Sequence, residues 1–121
     1  MSHKVNLQIQ FDLRCTPAEF REHADHVAAT IAAVPGLLGK VWILDEEHGR
    51  GGGVYLFTDR AAATAYLGGP IVSGLRKNPA LANVEVRLFD VLEGPSVITR
   101  GLPPAGRIQD MLGGASPLRE A

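Results

Sequence analysis

The stretch Lys4-Val5-Asn6-Leu7-Gln8-Ile9-Gln10-Phe11-Asp12-Leu13, followed by Thr16-Pro17-Ala18-Glu19, decides the fold. Val5, Leu7, Ile9, Phe11 and Leu13 alternate with polar residues, a period of two that predicts a strand with one apolar face. The other face, with Asn6, Gln8 and Gln10, is polar but mostly uncharged. Thr16 and Glu19 then have the spacing of a capping box, and Pro17 suits a first helical turn, where its missing N–H costs nothing. Phe20, Ala24, Val27, Ile31 and Val34 recur at helical spacing. Pro35-Gly36 ends that helix.

Working outward, Leu37 to Asp45 and Val54 to Thr58 are apolar runs around Glu46-Glu47-His48-Gly49-Arg50-Gly51-Gly52-Gly53. They predict a hairpin with a flexible, glycine-rich tip. Strands apolar on both faces are usually covered on both sides. Helices supply one cover, and a second subunit is the expected other. Thr58 and Asp59 are both candidate caps for a helix whose small packing face is Ala61, Ala62, Ala65, Tyr66 and Leu67. Gly68-Gly69-Pro70 breaks it, and a short helical piece follows from Ile71 to about Arg76. Val84, Val86, Leu88 and Asp90 alternate with Glu85, Arg87, Phe89 and Val91 as the last strand. The order is βαββαβ, an α+β ferredoxin-like domain over residues 1–96.

From Gly94 onward, nine of the last 28 residues are Gly or Pro. They predict an extended arm over 97–121 with no fold of its own. Within it, Ile108, Met111 and Leu112 have the spacing of one sticky helical turn. The arm is read either as a loose tail or as a segment laid across a partner subunit.

With 121 residues the chain is one domain, and a net charge of −1 with mixed signs gives no footprint for nucleic acid. No apolar run is long enough for a membrane span. The N-terminus leads straight into a strand, so no signal peptide is expected, and the lone Cys15 suits a reducing cytoplasm.

Residues Pro35 to Trp42, Gly52 to Asp59, Ala65-Tyr66-Leu67 and Leu88-Phe89-Asp90-Val91, with Glu93 and Pro95, resemble the YdhR-like monooxygenase family. The resemblance covers roughly residues 4–96. It matches the first helix in pattern only, and the tail is longer than the family's usual ending. It implies a dimeric α/β barrel, related in fold to antibiotic-biosynthesis monooxygenases, and an oxygenase activity. The same fold hosts haem-degrading enzymes, isomerases and ligand binders, so fold alone does not select the reaction.

The residues bound the chemistry. There is no GxSxG, Walker loop, CxxC or GxGxxG ahead of a helix, so a flavin or nicotinamide has no motif to hold it. Asp45, Glu46, Glu47 and His48 are adjacent, and consecutive residues point in different directions. His23 and His26 make at most half a metal site, and His3 lies elsewhere in the chain. Haem needs an axial ligand in a large apolar pocket, and His23 merely borders the apolar face of the first helix. Metal, haem and flavin are therefore not expected, and molecular oxygen is the expected co-substrate.

A cofactor-free oxygenase needs a pocket, a proton acceptor and donors for an anion. The expected function is oxidation of a small hydrophobic aromatic molecule, a phenol or hydroquinone. Trp42 and Tyr55 are expected to line the pocket, Lys40 or Arg87 to support the anion and His48 or a carboxylate to move the proton. Lys40, Trp42 and Leu38 share parity along their strand. Leu38, Phe57, Tyr66 and Phe89 are expected to contact substrate. The alternatives are a non-catalytic binding or sensing dimer, an isomerase- or cyclase-type enzyme on the same fold, or an interaction module docking through its tail.

Overall fold

The computed structural model describes residues 3–102. Its elements are β1 (Val5–Leu13), α1 (Pro17–Ala32), β2 (Leu37–Asp45), β3 (Arg50–Phe57), α2 (Arg60–Leu67), α3 (Pro70–Lys77), β4 (Leu81–Asp90) and α4 (Glu93–Ile98). Up to Asp90 they form one compact unit. Its sheet has the order β2-β3-β1-β4, with every neighbouring pair antiparallel. This is the ferredoxin-like arrangement, in which β3 separates the two strands that α1 connects.

The core lies on one side of the sheet. Val5, Leu7, Ile9 and Phe11 of β1 are buried there with Tyr55 and Phe57 of β3, Phe20 and Ile31 of α1, Ala63 and Tyr66 of α2 and Val72 of α3. The capping box forms as spaced: Thr16 Oγ1 accepts from the Glu19 amide at 3.1 Å, and Glu19 Oε1 accepts from the Thr16 amide at 2.9 Å. At α2 the cap is Asp59, accepting from the Ala62 amide at 2.8 Å. Ala63 and Tyr66 form its buried face, while Ala61 and Ala65 are exposed. Between α1 and β2, Gly36 takes φ +82°, and a Cβ there would collide with that of Ala62.

The hairpin departs from its expected form. The turn is confined to Glu46–Gly49, and β3 begins at Arg50, so Gly51, Gly52 and Gly53 are buried strand residues rather than a flexible tip. β3 is an inner strand, and the missing side chains make room for neighbours. The rings of Phe11 and Phe20 pack over Gly51, and the stem of Lys40 lies over Gly53.

Beyond Asp90 lies a second unit, whose described part holds α4. Residues 93–98 are helical, so the first two residues of the expected arm, Val97 and Ile98, end a helix. Pro95 sits in the first turn, where no intrahelical N–H bond is lost. The spacing of Ile108, Met111 and Leu112 lies outside the described residues.

A Cβ on Gly52 would meet the carbonyl oxygen of Ile9 on β1. Gly52→Ala is expected to destabilise the domain by about 1–3 kcal/mol, read as a lower urea midpoint at unchanged m-value.

Candidate functional site

A cavity of about 360 Å³ opens between the sheet and helices α1 and α3. Its sheet side carries Lys40 and Trp42 of β2 with Gly53 and Tyr55 of β3. Phe20, Val27 and Ile31 of α1, Tyr66 of α2, and Ile71 and Leu75 of α3 complete the apolar wall.

Strand register explains how Lys40 comes to face helices. Lys40 is opposite Tyr55 and Trp42 is opposite Gly53, and cross-strand partners share a face. A register shift between Leu37 and Gly39 leaves Leu38 as the extra residue. Leu38 is therefore out of phase with Lys40 and 43% exposed. The parity expected for it fails because a bulge interrupts the period of two.

The Lys40 stem crosses the space above Gly53, and Nζ lies 3.3 Å from the Trp42 ring centroid and 4.5 Å from that of Tyr55. Burial lowers the Lys40 pKa from 10.5 to about 7. The two ring faces favour the ammonium and oppose that push by about 1–2 kcal/mol, or roughly one pKa unit. Desolvation remains the larger effect, and the amine titrates near neutrality or slightly above.

The Tyr55 and Tyr66 hydroxyls are 3.0 Å apart, with ring centroids 5.2 Å apart. Burial raises the pKa of both, and for Tyr55 the bond to Tyr66 raises it further. Both remain protonated at neutral pH. One hydroxyl donates to the other, leaving one proton of the pair for a ligand oxygen.

The other expected residues lie elsewhere. Phe57 is fully buried behind the cavity, stacked on Tyr55 at 6.1 Å and packed on Tyr66 at 5.6 Å. Arg87 is opposite Gln8, with Phe89 opposite Asn6, on the face of the sheet away from the core. They follow the alternation that turns Val86 and Leu88 inward. His48 is exposed in the β2–β3 turn, with Nδ1 2.9 Å from Asp45 Oδ2. Its hydrogen bonds hold the Asp45 carboxyl below its usual range. Arg87, Phe89, Leu38 and His48 are thus not brought to the cavity, and Phe57 only supports it.

Val27, Ile31, Ile71, Leu75 and Gly53 were not anticipated as lining. Helical periodicity marks the first two as inward-facing. It does not reveal that the sheet recedes over Gly53.

The sequence profile of the family described as "Putative mono-oxygenase ydhR" matches residues 6–102. The chain belongs to that family. No curated protein matches it. Among solved structures, SnoaB from Streptomyces nogalater, described as a cofactor-independent oxygenase, is similar at TM-score 0.61 and 24% identity over 76% of this chain and 96% of that one. NE2512 from Nitrosomonas europaea, described as a protein of unknown function, is similar at TM-score 0.58 and 21% identity over 77% and 93% of the two chains. The heme-degrader MhuD from Mycobacterium tuberculosis, solved with two hemes in its active site, reaches TM-score 0.55 and 21% identity over 74% and 95%. These likenesses establish the shared fold.

Haem calls for a well-placed axial ligand in a large apolar pocket. Among the described residues, His23 is the one imidazole lining the cavity, and it sits on an exposed part of α1. The lining does not fit that group. The described residues contain no group of three or more His, Cys, Asp or Glu arranged for a metal ion. No described helix is long and apolar enough to cross a membrane.

The buried amine has a stability signature. Below about pH 7, Lys40 is charged in the folded and unfolded states, and the burial penalty is fully present. Between about 7 and 10.5 the folded state has released a proton that the unfolded state keeps, so stability rises with pH. Lys40→Met is expected to be about 1–3 kcal/mol more stable than the parent at pH 6, after allowance for partial solvation and the ring contacts. That advantage should shrink towards pH 10 in urea melts.

Proposed function

We propose that this chain is a cofactor-independent monooxygenase that oxidises a small, electron-rich phenol to a quinone. The observation that carries the reading is the Lys40 amine held near neutrality inside an apolar cavity, between Trp42 and Tyr55. Family membership supports the reaction class.

In this reading Lys40 Nζ accepts the phenol proton, being close in pKa to the operating pH as a general base should be. The free proton of the Tyr55–Tyr66 pair hydrogen-bonds the phenolate oxygen, and Trp42 stacks on the ring. The phenolate passes one electron to dioxygen. The radical and superoxide combine at the ring carbon para to the oxygen, which bears a hydrogen, and the hydroperoxide loses water. One oxygen atom ends in the quinone and the other in water. All four electrons come from the substrate, so no external reductant is needed. The apolar walls strengthen the contacts to the anion by excluding water.

Oxygen uptake by protein treated with a chelator tests the reading, using 1-naphthol and polycyclic phenols with a hydrogen at the para position, each against a protein-free control. Saturable uptake is expected, with one O₂ consumed per quinone. The rate should rise with pH through the titration of Lys40, near 7 or slightly above, because the free amine is the active form. Lys40→Met should lower kcat by about 10²–10⁴-fold. Uptake no faster than autoxidation across the panel would remove the oxygenase reading and leave an aromatic-binding protein.

The apolar residues on the sheet face away from the core support a homodimer. Val41 is 64% exposed and Phe89 46%, beside the half-buried Ile43, Val54 and Leu56 and the neutral Asn6 and Gln8. A second copy would cover this face. Light scattering should give twice 12.9 kDa. Val41→Glu with Phe89→Glu should give the monomer mass with the circular dichroism of a folded chain. A parent protein that runs as a monomer would overturn the dimer.

A further inference from the structure

Lys40 is half-buried, with no counter-ion among the described residues. Among the described residues its Nζ has only the two ring faces as neighbours of note, and no Asp, Glu or Arg lines the cavity. The titratable groups facing that space from the packed elements are Tyr55 on β3, Tyr66 on α2 and His23 on α1. Nothing anionic holds the amine as an ammonium. An unpaired amine in an apolar pocket is a nucleophile as well as a base, since desolvation exposes its lone pair. Once it loses its proton, the attraction to the rings of Trp42 and Tyr55 falls away and the stem is free to turn into the cavity.

We propose that Lys40 captures aromatic aldehydes and ketones in this cavity as a covalent imine. The lone pair of Nζ attacks the carbonyl carbon, the C–N bond forms, and the carbonyl π pair moves to oxygen. A proton transfers from nitrogen to that oxygen to give a carbinolamine. The hydroxyl takes up a further proton and leaves as water, the nitrogen lone pair closes the C=N bond, and the iminium nitrogen gives up its remaining proton to restore the balance. The sum is amine plus carbonyl giving imine plus water, with no oxidant or reductant. Tyr55 and Tyr66 line the same cavity, and in this proposal the spare hydroxyl proton of the pair assists the departing oxygen. Trp42 supplies the flat surface that selects an aromatic carbonyl over an aliphatic one of similar reactivity. Burial lowers the amine's pKa towards neutrality against the opposing pull of the two rings, and leaves part of it unprotonated at pH 7.5. The proposal does not rest on the oxygenase reading and concerns a step that proceeds without oxygen.

The chain has three lysines, Lys4, Lys40 and Lys77, so two serve as internal controls. The full-length protein is incubated anaerobically at pH 7.5 with 2-naphthaldehyde and cyanoborohydride, which reduces the imine to a stable amine. Intact mass and peptide mapping read the product. The expected result is that Lys40 is the lysine labelled, about tenfold or more faster than Lys4 or Lys77, with the α-amine resolved from it by peptide mapping. Saturating 2-naphthol should slow it, and Lys40→Arg should remove it. Labelling spread evenly over the three lysines, or unaffected by 2-naphthol, would overturn the proposal. The rate ratio within the parent protein decides the matter even where the variant fails to fold. An oxygen-uptake failure with Lys40 labelling intact would sink the oxygenase reading alone.

Discussion

The stem of Lys40 occupies the space that a side chain at residue 53 would fill. A methyl group there would meet Lys40 Cε, so the flexible end of that side chain would have to move, and Nζ with it. Because Gly53 has none, the stem lies flat on the inner strand, and Nζ comes to rest against Trp42 and Tyr55. The neighbouring Gly51 does the same for the rings of Phe11 and Phe20. Strand-interior glycines weaken a sheet by entropy and by lost packing. Here neighbouring side chains lie over two of them, and one of those neighbours is a charged residue on an apolar wall.

That arrangement sets the electrostatics of the cavity. A buried ammonium without a carboxylate is costly, and the cheapest relief is to release the proton. The ring faces recover part of the cost, about 1–2 kcal/mol, which is too little to keep the group charged over its ordinary range. The two tyrosines respond to burial in the opposite sense: they hold their protons more tightly and share one hydrogen bond. The cavity thus contains a proton acceptor beside a proton donor, separated by environment alone. Pairs of titratable groups pushed apart in this way are the usual physical basis for assigning acid and base roles.

The same fold carries different chemistry in its relatives. SnoaB is described as a cofactor-independent oxygenase and MhuD as a heme-degrader. Fold therefore does not choose between them, and the lining must. In this chain the lining is aromatic and aliphatic around one amine and two hydroxyls, with its one imidazole on an exposed part of α1.

Local signals read from the sequence were the reliable ones. The alternation of β1 and β4, the capping box at Thr16 and Glu19, the break at Pro35-Gly36 and the element order depend on neighbours within a few residues, where backbone geometry and side-chain spacing are linked directly. Periodicity also put Lys40 and Trp42 on one face. It failed for Leu38, since a bulge adds a residue without changing composition, and for Gly51 to Gly53, since a glycine run reads as a turn whether or not a strand needs the room. His48, Arg87 and Phe89 were chemically reasonable candidates, but which side of a sheet faces helices is not written in any one strand. The sequence by itself determined β1, α1 with its capping box, β4 and the order of the elements up to β4. Only the tertiary structure decided which side chains share a cavity, because that depends on cross-strand register, and register is set by the packing of residues distant in the chain.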